Sequence, residues 1–405
     1  MKIYQVGGSV RDALLKRSSK DRDWVVVGAK PKDLIDLGYK QVGKDFPVFL
    51  HPQSKEEYAL ARTERKTAPG YTGFSFDTSA SITLEEDLQR RDLTINAIAK
   101  DEQGKLIDPY NGAHDIKNRI LRHVSPAFAE DPVRVLRVAR FAARFANENF
   151  TVADETIQLM RNMVNNGEID ALVAERVWQE LQSVLTEATP SIFFLVLREC
   201  GALAKLFPEI DRLFGVPQPE QHHPEIDTGI HTMMVVDQAA KLSHDSKVRY
   251  AALLHDLGKG TTPTSELPKH IAHESRGVPL VKEFSLRFKV PRDHMELACL
   301  VTEYHLHYHR IAELKPSTVL KTLQALDAFR RPERFDLFIQ TCEADARGRT
   351  GYENKTPSQT RIFHDYHKAA CSIKTSDIAH ADKTGEQIAQ DIYNARLQAI
   401  KQVQN

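Results

Sequence analysis

The chain has 405 residues, room for two to four structural units at about 100–200 residues each. Hydrophobic residues make up 41% and charged ones 27%, the composition of an ordinary soluble protein, and 55 Lys and Arg balance 55 Asp and Glu. A net charge of zero predicts no general affinity for nucleic acid; residues 1–150 hold 25 Lys and Arg against 21 Asp and Glu, so any phosphate site rests on the placement of charge. No apolar run approaches the ~20 residues needed to cross a bilayer, and the opening MKIYQVGGSVRD lacks the apolar core of a signal peptide. Cys200, Cys299, Cys342 and Cys371 lie far apart without a CxxC pair, against a zinc ribbon or disulfide framework and in keeping with a reducing cytoplasm.

In chain order, the first ~110 residues read as mixed strand and helix. KIYQVGG, DWVVVG and PVFLH are short β-branched or aromatic runs bounded by Gly or Pro. From about residue 116 to 212 the pattern turns helical, with Val135, Val138, Ala139, Ala142 and Phe145 on one face. The segment GVPQPEQHHPE (215–225) reads as a domain boundary, and helical segments continue from 228 to about 345. A polar stretch, RGRTGYENKTPSQT, precedes a helical tail.

Gly7-Gly8-Ser9-Val10-Arg11-Asp12 follows a short strand and opens a helix. Glycines there let backbone approach a phosphate, and Arg11 adds a charged donor, although a Gly-Gly turn joining strand to helix is more often purely structural. Asp21 and Asp23, at period two, project from the same face of a strand, which suits a two-Mg²⁺ site for in-line phosphoryl transfer. A solvated charge run is the competing reading. Arg90 and Arg91 precede an apolar stretch and are candidates for triphosphate contacts, with PGYTGFSFDTSAS a loop beside them. Asp131-Pro132 has the form of a helix N-cap and first residue, the bland reading of Asp131. Arg134, Arg137 and Arg140 then fall within about a third of the helix circumference, as a solvated basic face also would. A carboxylate and a guanidinium one turn apart can equally present donor and acceptor edges to a base, selecting a nucleotide without a template.

Taken in order, GGSVRD, DRD, RRDLTINA, DPYNG, EDPVRVLR and AERVWQEL resemble the class II tRNA nucleotidyltransferases, the bacterial CCA-adding enzymes of the polymerase β superfamily, over residues 1 to about 212. The resemblance implies that Gly8 and Arg11 contact the incoming triphosphate and that Asp21 and Asp23 bind Mg²⁺. It further implies that Arg91, Arg137 and Arg140 belong to the nucleotide site, and that Asp131 and Arg134 pair with the base of CTP or ATP. A third carboxylate has no clear counterpart, Glu57 and Glu64 both being possible. Bacterial poly(A) polymerases share much of this motif set and are the alternative function.

A second centre follows. His255-Asp256 closes the apolar run YAALLHDLGK, with His231 before it and His273, His305 and Asp345 after. His and Asp together suit Mn, Ni, Co or Zn better than Mg, and a metal there would activate water toward a phosphate ester. With 17 histidines most are incidental, and His305, His307 and His309 in one polar stretch have exposure as their plain reading. The run resembles the HD phosphohydrolase superfamily, with His231, His255, Asp256 and Asp345 as the implied ligands and Ni²⁺ or another transition metal as the implied ion. A CCA-adding enzyme with this domain resembles the multifunctional type that hydrolyses 2′,3′-cyclic phosphates, 2′-nucleotides and other phosphate esters; poly(A) polymerases of this class usually lack it. The expected fold class is α+β, a small mixed α/β head (1–115) followed by all-helical neck and body (116–215), HD domain (226–345) and tail (346–405). The implied partners are tRNA, CTP and ATP, with no membrane and with monomer and homodimer both open.

Overall fold

The computed structural model describes residues 1–18, 22–42, 48–66, 74–221, 223–374, 376, 378 and 383–404. They divide into two compact units, Met1–Glu180 with Ile192–Leu206, and Leu181–Ser191 with Phe207–Asn405. No helix among the described residues is long and apolar enough to cross a membrane.

The first unit opens with β1 (Lys2–Val6), α1 (Gly8–Leu14), β2 (Asp23–Val27), α2 (Pro31–Asp36), β3 (Lys40–Val42), β4 (Val48–Leu50) and β5 (Glu57–Leu60). A hairpin, β6 (Thr63–Lys66) with β7 (Phe74–Asp77), then precedes α3 (Leu84–Gln89), β8 (Ala99–Lys100) and β9 (Leu106–Ile107). The stretch expected as a loop thus carries a strand. The main sheet runs β3-β4-β5-β2-β1-β8-β9, with β2 and β5 parallel and the other neighbours antiparallel. Alternation along β2 explains its place near the middle: Val25 joins Val6, Leu88 and Ala97 on one face, while Val26 joins Leu34, Phe49 and Leu60 on the other. Both faces of the DWVVV run are covered, so the sheet fixes the strand that begins at Asp23.

Helix α4 (Gly112–Asn118) follows the DPYNG stretch, where the Asp108 carboxylate accepts from the amides of Gly112 and Ala113 at 2.7 and 2.8 Å. A two-residue parallel pair, β10 (Ile120–Leu121) with β11 (Thr151–Val152), interrupts the expected all-helical neck. Helix α5 (Val133–Arg144) lies between those strands and buries Val135, Val138, Ala139 and Ala142, with Phe145 buried just beyond it, as the spacing predicts. Helices α6 (Asp154–Asn165), α7 (Ala174–Val184), α8 (Ser191–Glu199) and α9 (Ala202–Leu206) complete the run.

After the short α10 (Pro208–Asp211), the second unit is built from α11 (Thr228–Leu242), α12 (Ser246–Leu254), α13 (His273–Arg287), α14 (Arg292–His309), α15 (Pro316–Ala325) and α16 (Pro332–Arg347), then α17 (Ser358–Cys371) and α18 (Gly385–Gln404). Val235 and Ala239 of α11, Val248 and Ala252 of α12 and Ala344 of α16 share one apolar core. That core holds the segments that carry His231, His255 and Asp345 at fixed separation. The four cysteines are unpaired.

Candidate functional site

In the first unit the turn after β1 brings three predicted groups together. Gly7 adopts φ +70°, and a side chain there would meet Arg91 Nη1 at 3.0 Å and Asp23 Oδ2 at 3.8 Å. Backbone, arginine and carboxylate therefore crowd one point that only glycine accommodates. Gly8 begins α1. Asp21 lies outside the described residues. Of the candidates for a third carboxylate, Glu57 stands beside Asp23 in the parallel register of β5, and the side chain of Glu64 is outside the described residues.

Arg91 and Arg90 owe their placement to Asp87, which is fully buried one turn earlier. Its carboxylate accepts from Arg91 Nη2 at 3.2 Å and from Arg90 Nη2 at 2.8 Å. Burial alone would raise the Asp87 pKa, but the two guanidinium groups outweigh it and the shift is downward. Arg11, expected at a triphosphate, is instead buried: it donates to Asn96 Oδ1 at 2.6 Å and Asp12 Oδ1 at 2.8 Å, with its guanidinium over the rings of Phe141 and Phe145. Asn96 in turn donates to Asp92 Oδ1 at 2.9 Å, and Arg137 donates to Asp92 Oδ2 at 2.8 Å through Nε. A polar chain from Arg11 to Arg137 thus ties α1 to α5.

The arginines of α5 are not a free basic face. Arg134 is buried and donates to the Ala127 carbonyl at 2.8 Å, and Arg140 donates to Glu180 at 2.6 Å. Asp131 receives both arms of Arg176, from α7, at 3.0 and 2.8 Å. It also accepts the Val133 amide at 3.1 Å, so the capping role coexists with the ion pair. A polar cavity of about 450 Å³ opens beside this motif, lined by Thr63, Asp77, Arg90, Ser125 and Glu130 among others.

In the second unit the four HD residues converge. His231 on α11 lies 3.1 Å from Asp345 Oδ1 on α16, and His255 at the end of α12 lies 3.2 Å from Asp256 Oδ2. All four are buried. His255 terminates α12 and Asp256 starts the next 3-10 turn, which is how adjacent residues reach one centre. Both carboxyls are held well below the usual range: burial opposes this, but His255 with Lys259 at Asp256, and His309 with His255 at Asp345, prevail. Burial lowers the His255 pKa, yet Asp256 and Asp345 carry it up to about 9. His305, read from the sequence as exposed, is buried here, and burial pushes its pKa down to about 3.

The segment expected as a boundary supplies two orienting groups. Glu225 lies 2.9 Å from His231 Nδ1, fixing that proton away from the centre, and Gln218 accepts from Lys259, which reaches Asp256 Oδ2 at 2.7 Å. The residues fit a transition metal: histidine nitrogens and carboxylate oxygens converge, while His255 Nε2 and Asp256 Oδ1 are buried without a hydrogen-bond partner. Beside them is a cavity of about 730 Å³.

Three family models match the chain: the poly A polymerase head domain over residues 3–122, the probable RNA and SrmB-binding site of polymerase A over 149–214, and the HD domain over 228–331. A multifunctional CCA protein of Thioalkalivibrio sulfidiphilus is 60% identical over 403 residues, covering 100% of this chain and 98% of that one. Two solved structures share the fold. A CCA-adding enzyme in complex with CTP aligns with TM-score 0.65 at 20% identity, covering 100% of this chain and 87% of that one. The Thermotoga maritima CCA-adding enzyme complexed with tRNA aligns with TM-score 0.63 at 17% identity, covering 99% and 90%. With likeness of this strength along its whole length, the chain belongs to the family of multifunctional CCA proteins.

Proposed function

We propose that the chain adds and repairs the 3′-terminal CCA of tRNA from CTP and ATP without a template, and that its second unit is a metal-dependent phosphohydrolase acting on 2′,3′-cyclic phosphates, 2′-nucleotides and simple phosphate esters. The observation that carries this is the pairing, in one chain, of a Gly7–Asp23–Arg91 cluster with a buried His231–His255–Asp256–Asp345 centre. Poly(A) addition by the same head is the alternative, and the second centre favours the first reading. The division of labour follows the head (1–115), neck and body (116–215), HD domain (226–345) and tail (346–405).

In the head, Asp21 and Asp23 would hold Mg²⁺, which when bound supplies charge neutralisation to an in-line phosphoryl transfer. Gly8 leaves backbone amides open to the triphosphate, and Arg91 presents a guanidinium held by Asp87. Arg11, Arg137 and Arg140 belong to the nucleotide site, held there by Asn96, Asp92 and Glu180. Asp131 and Arg134 offer acceptor and donor edges to the base, with Arg176 setting the angle of the Asp131 carboxylate. In the second centre the four HD residues would hold an Mn, Co or Ni ion, which when bound would supply Lewis acidity toward a phosphate ester. Glu225 and the Gly348 carbonyl hold His231 in the tautomer whose Nε2 faces inward.

The deciding experiment incubates the protein with tRNA lacking its end, CTP, ATP and Mg²⁺. Addition of two C and one A followed by arrest is expected; continued A addition would identify a poly(A) polymerase. A parallel incubation with 2′,3′-cyclic AMP and Ni²⁺ tests the hydrolase, and no hydrolysis with Ni²⁺, Mn²⁺ or Co²⁺ would remove that half of the reading.

A further inference from the structure

We propose that Arg249, a residue of the second unit, is a positioning residue for nucleotide selection in the first, acting through helix α7. The inference rests on reading Asp131 as a group that selects the base, and it names what holds that carboxylate in direction. CTP and ATP carry an exocyclic amino group where UTP and GTP carry a carbonyl. An acceptor aimed at that position admits the first pair and repels the second, so the angle of the Asp131 carboxylate decides the outcome.

That angle is set from α7. Arg176, in its first turn, donates to both Asp131 oxygens at 3.0 and 2.8 Å, and Glu180 one turn later accepts from Arg140 at 2.6 Å. The helix does not end in the unit where it begins. Residues 174–180 belong to the first unit and 181–184 to the second, which also takes the chain as far as Ser191. Leu181, Val184 and Leu185 are fully buried there. At about 1.5 Å per residue, Leu185 stands about 14 Å from Arg176 along one stiff axis, so a shift at one end is felt at the other.

The far end is held by one buried cation. Arg249, on α12, donates through Nη1 to the carbonyls of Leu185 and Glu187 at 2.8 and 2.7 Å. Its Nε and Nη2 go to the carbonyls of Ser243 and Ala240, at the end of α11, at 2.9 and 3.1 Å. The last carbonyls of a helix have no partner within it and carry the negative end of its dipole. A single guanidinium here serves the C-terminal ends of two helices at once. Helix α11 grips the same segment again: Asp237 accepts from the amide and the hydroxyl of Ser191 at 3.0 and 2.7 Å, where α8 begins. Removing Arg249 leaves the Leu185 and Glu187 carbonyls buried without their donor, the end of α7 shifts to regain partners, and Arg176 turns Asp131 with it.

The test measures kcat/KM for CTP and for UTP in the full chain, on tRNA lacking its end. Asp131→Ala and Arg176→Ala should each cut the preference for CTP by about tenfold or more, as expected for a lost buried hydrogen bond. Arg249→Ala should cut it by about threefold or more while the KM for CTP stays within about twofold, because the triphosphate contacts are untouched. Phe363→Leu, which opens space on α17 beside Phe335 and Phe338, should leave the preference unchanged. Fluorine NMR of the 5-fluorotryptophan protein gives a readout independent of turnover, since Trp178 lies on α7 between Arg176 and Glu180 and Trp24 lies on β2. Arg249→Ala should move the Trp178 resonance and leave that of Trp24 in place. Unchanged preference, or an unmoved Trp178 resonance, would overturn the proposal and leave the Asp131 reading intact, provided Asp131→Ala relaxes selection. Equal loss of preference in Phe363→Leu would reduce Arg249 to general stability and also overturn it. Full preference in Asp131→Ala would refute base reading itself, and this inference with it. Should Arg249→Ala fail to fold, Asp237→Asn loosens the same segment from α11 and carries the same expectations.

Discussion

Asp92→Asn isolates one charge on which the framework of the first unit depends. Its Oδ2 receives Nε and Nη2 of Arg137 at 2.8 and 2.7 Å, and its Oδ1 receives the Leu93 amide and Asn96, both at 2.9 Å. Asparagine supplies a single acceptor. If that oxygen stays with Leu93 and Asn96, an NH₂ group faces the two Arg137 donors. Removing one partner of a buried pair costs about 3–5 kcal/mol, and the Arg137 side chain, 37% exposed, recovers part of this in water, leaving about 2–3 kcal/mol. At about 2–4 °C per kcal/mol for a unit of this size, the melting transition should fall by about 5–10 °C at pH 7. Trp24 and Trp178 are the only tryptophans and both lie in the first unit, so tryptophan fluorescence follows that unit. The pH dependence checks the cause. Burial would raise the Asp92 pKa, but Arg137 and Asn96 bring it well below the ordinary carboxylate value. A depressed folded-state pKa gives stability that is complete above the unfolded value, near about 3.9, and lost as pH falls below it. The gap between wild type and variant should therefore hold from pH 7 to about 5 and shrink below about 4. An unchanged melting temperature, or a gap that persists undiminished at low pH, would refute the account.

Three further outcomes are expected. Asp23→Ala should abolish nucleotide addition while tRNA binding by gel shift persists; addition near the wild-type rate would rule out the carboxylate's metal role. Arg134→Ala should relax the preference for CTP and ATP over GTP and UTP by about 1–3 kcal/mol in competition assays, and unchanged selectivity would show that its bond to the Ala127 carbonyl is its whole task. Gly258→Ala forces a carbon against the His273 carbonyl, so it should lower the melting temperature of the second unit, at a cost of about 1–3 kcal/mol, and weaken Mn²⁺ binding in dialysis; wild-type affinity would contradict the tight approach.

What the sequence made legible was local. The strands at 2–6 and 23–27, the apolar stripe of α5 and the HD pair at the end of α12 follow from periodicity or adjacency. What it hid was the partner across the chain. Arg176 reaches Asp131 over 45 residues, Glu180 reaches Arg140 over 40, and Asn96 meets Arg11 over 85, distances at which no repeat in the sequence speaks. Two misses had a signal. Asp87 stands three and four residues before Arg90 and Arg91, the spacing of helical ion pairs. His305 shares the helical spacing of Val301, Thr302 and Tyr308, which marks it as inward-facing despite its polar neighbours. The segment 215–225, read as a boundary from its composition, also brings Glu225 to His231 and Gln218 to Lys259, contacts that composition does not show.

The chain passes from the first unit to the second at residue 181, returns at 192, and leaves again at 207. Neither unit is therefore a contiguous length of sequence. A growing chain cannot finish its first unit until Leu206 has emerged, by which time Leu181–Ser191 of the second is already made. No single cut yields both units whole, so a gene break at one position leaves at least one of them incomplete. Separating the two proposed activities by truncation would therefore leave at least one unit incomplete, and point substitution is the cleaner scalpel.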